Sequence, residues 1–66
     1  MKALDLRHDD LRKACLALAS RMRLLADHER HEAAFENEDH SRGLRIANAD
    51  YLDKEANALA EAAEGA

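Results

Sequence analysis

The sequence predicts an all-α fold: an antiparallel two-helix hairpin that dimerises into a four-helix bundle. Three observations predict it. Pro is absent and Gly occurs only at positions 43 and 65, while the strong helix formers Ala, Leu, Glu and Arg dominate. Val is missing and Ile46 is the sole isoleucine, so a β core has almost no β-branched material to use. Asn37, Asp39, Ser41 and Gly43 then bring turn and cap chemistry together near the middle of the chain.

Helix one is expected over about residues 5–36, a turn over about 37–41 and helix two over about 42–63, in a single domain spanning 1–66. Projected at about 100° per residue, Leu4, Leu11, Cys15, Leu18, Met22 and Leu25 form one seam of helix one. Asn37 is expected to close that helix. Asp39 or Ser41 can accept the free N–H groups that open the next, and the charges of Glu38 and Asp39 favour the same end. In helix two the seam is Ala49, Leu52, Ala56, Leu59 and Ala63, with alanine recurring every seven residues. Small residues there allow close approach, and the short connection makes the helices antiparallel neighbours.

A chain of 66 residues buries only about 60% of the surface its unfolded form exposes, which leaves a lone monomer marginal. Cys15 is the single cysteine, so no intramolecular disulfide can form, and its spacing reads as a small buried hydrophobe. Oligomerisation is the remaining support. Both helices offer surface for it. Leu6, Ala17, Leu24 and Phe35 lie opposite the expected seam of helix one, while Leu44, Ala47, Tyr51, Ala58 and Ala62 flank the seam of helix two. These second stripes are wider than one neighbour can cover, so a second hairpin is expected to bury one of them and a partner protein the other; the spacing alone does not choose between the far side of helix one and the helix-two flank, which could also belong to the core.

The formal net charge is −4 but it is unevenly spread. Residues 1–25 carry six bases (Lys2, Arg7, Arg12, Lys13, Arg21, Arg23) against Asp5, Asp9 and Asp10, while residues 26–66 carry eleven acids against four bases. An antiparallel hairpin sets the basic half of helix one beside Glu55, Glu61 and Glu64, where most of the charge is expected to pair in solvent. One Phe, one Tyr and a pI near 5.4 disfavour nucleic acid, which wants a basic stripe and stacking aromatics. No run of eighteen apolar residues and no signal-peptide core occur, so no membrane partner and a cytoplasmic location are expected.

The stretch DHERHEAAFENEDH, Asp27 to His40, holds three of the four histidines and the only phenylalanine. His28 and His31 are three apart and His28 and Glu32 four apart, which places them on one face, with His40 arriving from the turn. The spacing departs from HExxH, and helix two has no histidine beyond His40 to complete a bundle metal site, so no metal and no cofactor are expected. Solvated histidines near a turn are the plainer reading. Recognition fits the stretch better: Phe35 continues the sector of Leu24 and is ringed by His28, His31, Glu32 and Glu36, an aromatic anchor with a polar rim. The competing expectation is that Phe35 folds against Leu44 or Tyr51 and closes the hairpin end.

Catalysis has no apparatus here. Ser20 and Ser41 lie in no elbow or glycine-rich loop, and a two-helix chain has no deep pocket of its own. The expected function is therefore a small non-enzymatic regulator or adaptor, of the kind phages and mobile elements encode. It acts as a homodimer and docks on a protein partner through Leu6, Leu24, His28, His31, Glu32, Phe35 and Glu36, most simply inhibiting it. In length and helix layout the chain is similar to Rop, the plasmid RNA-binding helical hairpin. That likeness is architectural and covers no specific sites; it implies as the alternative an RNA-binding dimer, for which the sequence itself offers the basic groups Arg7, Arg12, Lys13, Arg21 and Arg23.

Overall fold

The computed structural model describes residues 8–65. Two helices occupy nearly all of them: α1 runs His8–Ala33 and α2 runs Asp39–Gly65, joined by residues 34–38. They pack side by side in opposite directions as a hairpin whose Cα atoms span 50 × 26 × 14 Å. Leu4, Leu6, Lys2 and Arg7 lie outside the described residues.

The interior is made of alanine. Among the described residues Ala19, Ala26 and Ala33 on α1 and Ala49, Ala56 and Ala63 on α2 are the buried ones, and no larger side chain is fully buried. Each set recurs every seven residues, so each helix offers its partner a straight seam of methyl groups. Methyls rather than isobutyl groups let the axes close toward about 8 Å, the near end of the usual range of helix separation. Half-buried residues line the margins: Cys15, Met22 and Glu29 on α1, Leu52 and Leu59 on α2.

This seam corrects the expected core of helix one. Leu11, Leu18 and Leu25 are 51–52% exposed, and only Cys15 and Met22 of that expected set border the interface. The helix is rotated so that Ala19 and Ala26, one position beyond Leu18 and Leu25, face α2 together with Ala33. The reason is steric, because leucine on both helices would hold the axes too far apart for the alanines of α2 to touch anything. On α2 the expected seam is found, with Ala49, Ala56 and Ala63 buried and Leu52 and Leu59 beside them.

Polar ties fix the register along one side of the hairpin. Arg30 of α1 places Nη2 2.6 Å from Asp53 and 3.0 Å from Asp50 of α2. Arg23 Nη2 donates to Asn57 Oδ1 at 3.2 Å. The basic half of α1 was expected to meet Glu55, Glu61 and Glu64. Instead Arg12 lies 3.8 Å from Asp9 on its own helix, and the ties between helices gather toward the turn.

At the end of α1 the backbone tightens. Ala34 N–H donates to both Arg30 and His31 carbonyls at 3.3 and 3.2 Å, and Phe35 and Glu36 N–H groups reach back three residues. Arg42 then completes the corner. Its Nη2 and Nε donate to the Glu36 carbonyl at 2.8 and 3.3 Å, and its Nη1 donates to Asp39 Oδ1 at 2.8 Å. α1 thus ends at Ala33, before the Asn37 expected to close it. Arg42 N–H donates to the Glu38 carbonyl at 2.9 Å, which makes Glu38 the cap residue and puts Asp39, Ser41 and Gly43 inside α2. Gly43 has no positive φ and does not form part of the turn.

Candidate functional site

Leu24, His28, His31 and Phe35 follow one another at steps of four, three and four, the spacing of a single helix side. That side points away from the alanine seam. Leu24 is 69% and Phe35 70% exposed, so neither contributes to the hairpin's own packing. Phe35 sits just past the end of α1, in the tightened turn. Its ring meets that of His31 edge to face, centroids 5.1 Å apart and planes at 65°. His28 Nε2 lies 3.9 Å from Glu32 Oε1, so the aromatic pair is bordered by an imidazole and a carboxylate. Phe35 does not fold over Leu44 or Tyr51, each of which is itself about three-fifths exposed.

Glu36 is drawn elsewhere. Arg45 of α2 donates from Nε to Glu36 Oε2 at 2.9 Å and from Nη1 to Glu29 Oε1 at 3.4 Å, which forms a half-buried triad at the turn end. The hydrogen bond with Glu36 is the main cause holding the Arg45 guanidinium above its ordinary range, with Glu29 adding to it. Arg30 is raised in the same way, first by Asp50 and then by Asp53.

The helix-two flank divides by position. Leu44, Ala58 and Ala62 border shallow depressions between the helices, on the side where Leu11, Leu18, Met22 and Leu59 also emerge. Ala47 and Tyr51 are exposed on that helix, and Leu6 lies outside the described residues. The basic residues of α1 do not form a stripe: Lys13, Arg21 and Arg23 are exposed at different angles around the helix.

No family model, no curated protein and no solved structure matches the chain.

The chemistry of the surface is therefore read from the surface itself. No group of three or more His, Cys, Asp or Glu side chains is close enough to share a metal ion among the described residues. No helix among them is long and apolar enough to cross a membrane. What the surface offers is contact: an exposed aromatic with a histidine partner and a leucine on one side, and a row of half-exposed leucines on another.

Two features escaped the sequence reading. The alanines at 19, 26 and 33 were legible as a seven-residue repeat matching 49, 56 and 63. The triad of Glu29, Glu36 and Arg45 had a fainter signal: two acids seven apart, one on α1 and one in the connection after it, and a base seven before Leu52 on the seam of α2.

Proposed function

We propose that the chain is a small non-enzymatic protein-binding regulator or adaptor. It works as a homodimer of hairpins in a four-helix bundle and docks on a partner protein through Leu24, His28, His31, Glu32 and Phe35, most simply inhibiting it. One observation carries the reading. The only phenylalanine is 70% exposed on the side away from the alanine seam, paired to His31 and in line with an equally bare Leu24. A large aromatic left outside the core and rimmed by polar groups has the anatomy of an interface anchor.

The test is capture of a protein partner by the wild type, Leu24→Glu and Phe35→Ala at several salt concentrations. The expected result is a partner held by the wild type and lost by both variants, with circular dichroism and sedimentation unchanged, and with little response to salt. Retention of the partner by both variants would refute the docking site. Steep salt dependence with nucleic acid in the captured fraction would favour the RNA-binding dimer instead.

A further inference from the structure

The hairpin has two broad sides, and they differ in chemistry. One carries the Arg23–Asn57 and Arg30–Asp50–Asp53 ties. The other carries leucine. Leu11, Leu18 and Leu25 repeat every seven residues along α1, each half exposed. Across a shallow groove from them stand Leu59, Ala58 and Ala62, with the carboxylate of Glu55 at its edge and Leu44 further toward the turn. We propose that a second copy of this chain covers the leucine side and runs in the opposite direction, with its turn over the first copy's free helix ends. This rests on the self-association in the proposed function and adds its face and direction.

A second copy is the occupant because the hairpin cannot hold itself on its own core. Among the described residues six alanines are all it buries, and no side chain larger than alanine is fully enclosed. The apolar volume that would normally stabilise a small domain lies on this side instead, uncovered. The hairpin's two longer Cα extents, 50 and 26 Å, frame a face large enough to hold a standard interface of about 800 Å² per partner, so another hairpin has room to seat. Leucines at three successive heptads also suit an isologous contact, in which the same stripe must meet itself.

Charge sets the direction. At the free helix ends the depression on the leucine side is lined by His8, Leu11, Arg12, Cys15, Ala62 and Ala63, with the base Arg12 and no carboxylate among them. On the leucine side the turn end carries the Glu29–Arg45–Glu36 triad, two acids on one base. Copies running in the same direction would close triad against triad, both net negative, in an interface that expels water. Copies running in opposite directions, related by a two-fold axis crossing α1 near Met22, set Leu18 beside the partner's Leu25. They also bring Glu29 and Glu32 toward the partner's Cys15 and Arg12. Apolar meets apolar at the centre, and acid meets base toward the ends.

Three measurements test this. Sedimentation of the wild type should show a dimer; a monomer at all concentrations overturns both this inference and the self-association beneath it. Leu18→Glu should weaken the dimer by about 100-fold or more by burying a charge, and the milder Leu18→Ala should weaken it by about tenfold while remaining helical. Leu24→Glu should leave the dimer intact. The reverse pattern, with Leu24→Glu dissociating the dimer and both Leu18 variants harmless, overturns the face but not the dimer. Finally, spin labels at Asn37→Cys in a Cys15→Ala background should lie about 40 Å apart, the length of a 26-residue helix. A separation under about 20 Å means the turns share one end of a bundle two helices wide, which overturns the direction alone.

Discussion

The His31 and Phe35 rings stand edge to face at 5.1 Å, and this contact is made entirely outside the hairpin's packed seam. The rest of the Phe35 ring, 70% exposed, is therefore free to be buried by a partner rather than committed to the fold. Phe35→Ala is expected to change unfolding free energy by no more than about 0.5 kcal/mol, the usual range for surface sites. Binding should fall far more, by about 2 kcal/mol or beyond if the ring is an anchor. Urea unfolding and partner affinity, measured on the same variant, check the two halves separately.

The alanine seam leads to the opposite expectation at Ala26. It is fully buried, with Ala56 equally buried on the facing helix. Ala26→Leu must push the helices apart or force strained rotamers, so a loss of about 1–3 kcal/mol is expected. Denaturant unfolding of the variant measures it. Leucine is a better helix-seam residue by hydropathy, yet here it should destabilise.

That contrast shows what the sequence could and could not disclose. Two antiparallel helices follow from composition and from the polar interruption near position 40, and α2 presents the seam its alanine and leucine spacing implies. On α1 two stripes compete one residue apart, Leu11–Leu18–Leu25 and Ala19–Ala26–Ala33. Ranking by hydrophobicity selects the first, while close packing selects the second, because α2's methyls can be reached only by methyls. The exposed row of Leu24, His28, His31 and Phe35 was legible for a simpler reason: helical spacing alone groups them. Arg42 was not legible, since a long side chain that caps a turn is placed by tertiary geometry and leaves no periodic mark, and Arg45 left only its spacing of seven from Leu52.

Gly43 tests the corner. It lies inside α2 with no positive φ, and a methyl built on it would touch nothing within 4 Å. Gly43→Ala should therefore stabilise the protein by about 0.5–1 kcal/mol through lower unfolded-state entropy and better helix propensity. A rise in thermal midpoint is the readout. No change, or a fall, would mean that α2 does not run helical through this position.

Cys15 reports on the leucine side without any substitution. It is half buried beside Leu11, Arg12 and Ala62, at the margin that a second copy would cover. Its alkylation rate should drop about tenfold between protein concentrations well below and well above dimerisation, because reaction then proceeds only through the free hairpin. A rate independent of concentration would place Cys15 outside any interface.

The last expectation concerns how Arg45 holds two carboxylates. It uses two different nitrogens, Nε for Glu36 and Nη1 for Glu29, which a single ammonium cannot reproduce. Arg45→Lys should leave both helices formed but speed amide exchange in residues 34–38, where the chain turns. The pH response should separate the two chains as well. Glu36, then Glu29, raise the Arg45 pKa above its already high ordinary value. A cation raised in this way contributes fully below its unfolded pKa and is lost only as pH climbs through the folded one. In the wild type that window lies beyond any pH at which the protein would be handled. Lysine loses its charge near pH of about 10.4, so the variant should show a further loosening of the turn across that range while the wild type stays flat. Amide exchange at two alkaline pH values, corrected for the intrinsic rate, decides it: parallel behaviour of the two proteins would mean that Arg45 does not organise the turn.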